Sequence, residues 1–179
     1  MDTRILVVID FQNDFITGSL GTKEAQAIVP NVINKIKEYK QNYDFIIVTQ
    51  DTHDSRYSVT KEGTKLPVPH CIYKTEGWNL HPEVEEALAN YPHLTIFKGT
   101  FGTSKIAEHI KHAKLDKINI EIIGLCTDVC VVTNAILLKT AFPEADISID
   151  ASCCAGVTPE LHSAALKVMK SCQIDVTGE

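Results

Sequence analysis

The chain has 179 residues, 44% of them hydrophobic and 22% charged, with a formal net charge of -6. That length and apolar content fit one globular domain, residues 1–179, with a real core. The lack of a basic stripe argues against nucleic acid or an anionic membrane as the main partner.

The N-terminus runs from Met1-Asp2-Thr3-Arg4 straight into an apolar stretch, Arg4–Ile9, that ends at Asp10. It is too short for a secretory leader, and no segment approaches the ~18 apolar residues of a membrane span, so a soluble, cytoplasmic protein is expected. Arg4–Ile9 reads as a strand. Ala25–Tyr39 follows, with Ile28, Val32, Ile33 and Ile36 at helical spacing. A second strand, Phe45–Thr49, is followed at once by Asp51 and His53. The stretch Asp51–Asn79 carries no clear period; a loop that long in a compact domain is usually functional. Pro82–Ala89 reads as a short acidic helix, and Leu94–Phe97 as a strand with Lys98 at its end. Thr103–His112 has helical period. Ile118–Gly124 is a strand leading into Gly124-Leu125-Cys126-Thr127-Asp128-Val129-Cys130. A helix is expected over Asp128–Thr140, with Thr127 or Asp128 as its cap. The last elements are a strand at Asp146–Ile149, a helix at Pro159–Ser171 opened by Thr158-Pro159, and a strand at Ile174–Val176.

Nearly continuous apolar strands alternating with helices imply an α/β fold with a parallel sheet covered on both faces. Ligands of such sheets bind beyond the carboxyl ends of the strands. Four strand ends deliver Asp10, Asp51 with His53, Lys98, and the Cys126–Cys130 segment to one edge. Cys130 falls in the first turn of the expected helix, where free amides and the helix dipole favour a thiolate, and Lys98 would act in the same sense. A nucleophilic Cys130 with Asp10 as proton carrier and Lys98 as charged partner suits covalent catalysis. Asp51 and His53 are two residues apart and point the same way in extended backbone. With His70, which follows Pro67-Val68-Pro69, they suit zinc, manganese or iron, and Glu62 in the intervening loop is a further candidate ligand.

Six cysteines occur, at 71, 126, 130, 153, 154 and 172. A chain of this size needs no disulfide staples, and without a CxxC spacing no zinc knuckle is expected. Cys153-Cys154 reads as core filling. Asp150 follows a strand but reads as bonding local backbone, and His81, His93, His109, His112 and His162 read as loop or helix-surface positions.

Val8-Ile9-Asp10-Phe11-Gln12-Asn13-Asp14-Phe15, Asp51-Thr52-His53, Pro69-His70-Cys71, Lys98-Gly99 and Gly124-Leu125-Cys126-Thr127-Asp128-Val129-Cys130 together resemble the isochorismatase-like cysteine hydrolases, and within them the nicotinamidases. The resemblance covers nearly the whole chain. It implies a Rossmann-like three-layer sandwich with a six-stranded parallel sheet of order 3-2-1-4-5-6. It further implies a catalytic triad of Asp10, Lys98 and Cys130, a cis peptide just before Cys126, and an oxyanion hole made by the amides of Cys126 and Cys130. Looking like a nicotinamidase implies that Asp51, His53 and His70 hold a divalent metal that receives the pyridine nitrogen. Phe15 and Phe101 could sandwich a flat ring or be plain core. Trp78 reads as packing the loop. The function expected is hydrolysis of nicotinamide to nicotinate and ammonia through a Cys130 thioester. The alternatives are another small amide or ureide, with or without metal, and a non-catalytic binding domain. The expected partner is a small-molecule amide; a homo-oligomer is compatible with the sequence but not specified by it.

Overall fold

The computed structural model describes residues 3–42, 44–115 and 117–179. In chain order the elements are β1 (Thr3–Ile9), α1 (Asn13–Ile16), α2 (Lys23–Ala27), α3 (Val29–Gln41), β2 (Phe45–Asp51), α4 (Lys61–Lys65), α5 (Pro82–Leu88), β3 (Leu94–Lys98), α6 (Lys105–His112), β4 (Ile118–Leu125), α7 (Val132–Ala141), β5 (Asp146–Ala155), α8 (Pro159–Ser171) and β6 (Asp175–Thr177). The strands form one sheet in the order β3-β2-β1-β4-β5-β6, with every pairing parallel. This is the order the resemblance implies.

Successive side chains of a strand point to opposite faces, so the apolar runs feed two cores. Ile5, Val7 and Ile9 of β1 pack with Ile106, Ile110, Val131, Leu138, Leu166 and Met169 on one face. Leu6 and Val8 pack with Ile16, Val32, Ile36, Val84 and Leu88 on the other. Helices therefore cover both faces, and none among the described residues is long and apolar enough to cross a membrane.

Several elements differ from the sequence reading. Ala25–Tyr39 is two helices: Thr22 caps α2 by accepting from the Ala25 amide at 3.0 Å, and Pro30 in the first turn of α3 forces a new start. The long 51–79 stretch contains a 3₁₀ turn at Tyr57–Val59 and α4, which Thr60 caps from the Gly63 amide at 2.9 Å. β5 continues past Ile149 to Ala155 because Cys154 and Ala155 pair with Gly124 and Leu125 across a register shift. Cys153 and Cys154 point into opposite cores, so the vicinal pair is core filling on both faces. The helix expected to start at Asp128 instead opens with a π-helical turn, Thr127–Val131. Neither Thr127 nor Asp128 caps it, since their side chains bond to the segment that leads into α8 and its first turn.

The sheet reverses direction of growth between β1 and β4, and the crevice beyond their carboxyl ends is where such a fold exposes a site. Gly124 sets how closely these strands meet there. It has φ +123°, and a Cβ would lie 2.1 Å from the Ile9 carbonyl oxygen, so only glycine fits.

Candidate active site

Asp10 leaves β1 in the left-handed region, φ 47°, uncommon for a residue with a side chain though less so for Asp than for most. Its amide donates to the Thr49 carbonyl at 3.1 Å, and Oδ1 accepts from Thr49 Oγ1 at 2.6 Å. Oδ2 faces the Lys98 ammonium at 2.5 Å. Lys98 ends β3 and is buried together with Asp10; its Nζ also donates to the Thr100 carbonyl at 3.0 Å and lies 3.5 Å from Cys130 Sγ. Three groups far apart in sequence thus share one buried point.

The electrostatics differ from the sequence expectation at Cys130. Burial pushes its thiol well above the ordinary value and the Asp10 carboxylate adds to this, outweighing the pull of Lys98. The turn around Cys130 is buried, so the field of a helix end does not prevail. Burial thus favours the neutral thiol at this position. Burial also raises the Asp10 carboxyl against the opposing pull of Lys98. For Lys98 the order reverses: burial lowers it, but the facing Asp10, Cys130 and Asp51 hold it above its usual range, so it stays an ammonium.

Cys126 precedes the π-helical turn, and the Leu125–Cys126 peptide is cis, as the resemblance implies. Val129 and Val131 amides both donate to the Cys126 carbonyl at 3.1 Å, closing the turn. The side chain of Thr127 meets His162 Nδ1 at 2.8 Å, so His162, read from sequence as a bland helix position, braces this turn from α8. Asp128 Oδ1 accepts from the Val157 amide at 2.8 Å.

Beside this point lies a second cluster. One donor atom each from Asp51, His53, Glu62 and His70 lies within 4.8 Å of the others. Asp51 Oδ2 is 3.0 Å from His53 Nε2 and 3.4 Å from His70 Nε2, and Glu62 Oε1 is 3.6 and 3.7 Å from the same nitrogens. His70 Nδ1–H donates to the Val68 carbonyl at 2.9 Å, which leaves Nε2 free to ligate. Asp51 Oδ1 is occupied by the Thr52 amide at 3.1 Å, which leaves Oδ2 for the cluster. Two imidazoles and two carboxylates with oriented lone pairs fit a divalent first-row metal. Burial would raise the Asp51 carboxyl, yet the hydrogen bonds of His53 and His70 bring it well below the usual range. Asp51 Oδ1 is also 3.9 Å from Lys98 Nζ, so the two clusters adjoin.

Two supporting residues carried no assigned role in the sequence. Gln12, fully buried, accepts from the Asp51 amide at 2.7 Å and donates to the carbonyls of Asp51 and Trp78 at 2.9 and 2.7 Å. It sat inside the Asp10 motif, but nothing in the motif said what it would hold. Tyr57 packs edge-on against both imidazoles, with ring centroids 4.8 Å from His53 and 4.9 Å from His70; no sequence signal marked it. Trp78 packs the loop, as read, through Tyr73, Phe97 and the Thr52 hydroxyl.

The two clusters open into one cavity of about 140 Å³, lined among others by Phe15, Leu20, Leu66, Phe101, Val129 and Val157, with Asp51, Glu62 and His70 on one side and Cys126 and Cys130 on another. A dry cavity of roughly 150 Å³ holds a benzene-sized molecule. Phe15 is buried and 5.5 Å from the His70 ring, whereas Phe101 is half exposed at the mouth. Larger grooves at the opposite edge of the sheet, such as that between Lys111 and Phe142, bring together no comparable set of groups.

Comparison with known proteins places these features in a family. The profile of the isochorismatase domain matches residues 4–178. The nicotinamidase/pyrazinamidase of Mycobacterium tuberculosis is 22% identical over 188 residues, 97% of this chain and 97% of its own length. The crystal structure of a nicotinamidase/pyrazinamidase from Bacillus subtilis superposes with a TM-score of 0.83 at 25% identity, covering 98% of this chain and 99% of that one. A pyrazinamidase from Pyrococcus horikoshii, determined in complex with zinc, shares the fold with a TM-score of 0.79 at 22% identity, over 98% of this chain and 99% of its own.

Proposed function

This chain belongs to the isochorismatase family, and from that premise we propose that it is a cytoplasmic, cysteine-dependent amidohydrolase that converts nicotinamide to nicotinate and ammonia. The observation that carries the reading is the meeting of Cys130 Sγ, Lys98 Nζ and the Asp10 carboxylate beside a four-donor cluster in a cavity sized for one ring.

In this mechanism the substrate ring enters between Phe15 and Phe101 with its carboxamide toward Cys130. Asp10 takes the thiol proton as sulfur attacks the carboxamide carbon, so charge separates only while the new bond forms. Lys98 stabilises the thiolate in transit and keeps the deprotonated Asp10 tolerable in a buried site. The amides of Cys126 and Cys130 receive the developing oxyanion. Asp10 then returns the proton to the departing amine; the C–N bond breaks, ammonia leaves and a Cys130 thioester remains. Water gives a proton to Asp10 and attacks the thioester carbon, nicotinate departs, and the proton goes back to sulfur. Atoms balance as amide plus water giving acid plus ammonia. Asp51, His53, Glu62 and His70 would hold a divalent metal, zinc being suited to the donor set, and when bound it supplies a Lewis-acidic position for the ring nitrogen. A nitrogen so placed fixes which way the carboxamide points.

Ammonia release from nicotinamide, benzamide and an aliphatic amide tests the assignment. Turnover of nicotinamide well above the other two supports it; no turnover of any, or preference for the aliphatic amide, overturns it.

A further inference from the structure

We propose that Asn134 is a positioning residue that fixes the distance between the Phe101 wall of the cavity and the turn carrying Cys130, and through it how tightly a ring substrate is held. This rests on the amidohydrolase reading for its effect on substrate but not for its structural core.

Asn134 lies in the first turn of α7 and is fully buried. A buried amide side chain must use its donors and acceptor or lose the free energy of their desolvation. Asn134 uses them on two different segments. Nδ2 donates to the Cys130 carbonyl at 2.8 Å, one turn earlier on the same helical run. It also donates to the Phe101 carbonyl at 3.1 Å, while Oδ1 accepts from the Thr103 amide at 3.0 Å. One planar group therefore ties the backbone of the nucleophile residue to both flanks of Gly102.

The segment so held has little else to set its position. It carries no regular structure between β3 and α6. Its near end is anchored by Lys98 Nζ on the Thr100 carbonyl at 3.0 Å, and Thr100 Oγ1 closes a local turn on the Gly102 carbonyl at 2.7 Å. Gly102 lies against α7, where a Cβ would be 2.6 Å from Thr133 Cγ2 and 2.7 Å from Leu137 Cδ1. The Phe101 side chain is 49% exposed and yet lines the cavity, so burial alone does not pin it. Beside the contact of Gly102 with α7, the Asn134 bonds fix the backbone on either side of it. Cys130 itself depends less on them, because its turn is closed by the Cys126 carbonyl and braced from the α8 side.

Two substitutions separate these roles. Asn134→Thr keeps a hydroxyl that can donate to the carbonyl four residues back, Cys130 O, but reaches neither Phe101 nor Thr103. Asn134→Leu removes all three bonds. Hydrogen exchange resolved by mass spectrometry should show residues 99–104 exchanging roughly tenfold faster in both variants, with 126–131 unchanged in Asn134→Thr. The KM for nicotinamide should rise roughly tenfold in Asn134→Thr with kcat within about threefold of the parent. Alkylation of Cys130 by iodoacetamide, which needs no ring wall, should keep its rate. Unaltered exchange over 99–104 in both variants overturns the proposal. So does a KM change confined to Asn134→Leu, which would assign the effect to the Cys130 carbonyl. A lowered melting temperature with unchanged KM in both also overturns it, as the mark of a merely structural residue. If the parent protein is inert toward nicotinamide, the amidase reading falls and the exchange measurement still decides on Asn134.

Discussion

Lys98 and Asp10 form an ion pair at 2.5 Å with side chains 1% and 0% exposed. Each is tolerated in the interior because of the other. Lys98→Met, similar in volume, should leave Asp10 without its counter-charge, cost about 3–5 kcal/mol in urea unfolding and lower kcat by at least about 100-fold. Near-parental stability and turnover would mean the pair is neither a structural nor a chemical necessity.

The metal prediction turns on the imidazole of His70. Its Nδ1 is engaged by the Val68 carbonyl, and its Nε2 is aimed at Asp51 and Glu62. Elemental analysis of the protein purified without added metal should find about one divalent ion per chain, with activity lost on chelation. His70→Ala should weaken retention by at least about tenfold. Full activity in metal-free protein would contradict the role given to the cluster.

Asp150 supplies a pH test remote from that cluster. Burial alone would raise its carboxyl, but hydrogen bonds from Ser152 and Lys35 outweigh this and hold it below the ordinary carboxylate range. Ser152 donates through both its amide, at 3.0 Å, and its hydroxyl, at 2.6 Å, and Lys35 Nζ is 3.0 Å away. A folded value below the unfolded one, about 3.9, stabilises the protein above that pH and loses the contribution as pH falls through the folded value. Asp150→Asn should therefore have a lower urea midpoint than the parent at pH 7, with the gap closing below about pH 4. A gap independent of pH would show that the carboxylate's charge is not what matters.

Much of the architecture was legible because it rests on apolar periodicity. The apolar runs Arg4–Ile9, Phe45–Thr49, Leu94–Phe97 and Ile118–Gly124 lie within β1 to β4, which extend one or two residues further at the carboxyl ends of β2, β3 and β4, and a parallel sheet brings such ends to one edge whatever the loops do. Asp51 and His53 at a strand end, and Glu62 and His70 in the loop after it, were picked out by residue type and place, and the structure gathers one donor atom from each within 4.8 Å. What escaped was decided by tertiary context. The long β5 depends on pairing with Gly124 and Leu125; the break before Pro30 is the exception, a local signal hidden by the helical spacing of Ile28 to Ile36. The thiol of Cys130 was expected to be acidic from its place at a helix start. Burial reverses that sign, and burial is not written in a local motif. Gln12, Tyr57 and Asn134 act through bonds or ring contacts to segments distant in sequence, which no spacing rule reveals.

The central claim is that the sulfur at position 130 attacks the amide. Ammonia release from nicotinamide by the parent and by Cys130→Ala, both shown to be folded and metal-loaded, tests it most directly. The account predicts steady turnover by the parent, a nicotinoyl thioester on the Cys130 peptide after acid quench, and a rate at background for the alanine variant. Equal rates from the two proteins, with no adduct on that peptide, would contradict it.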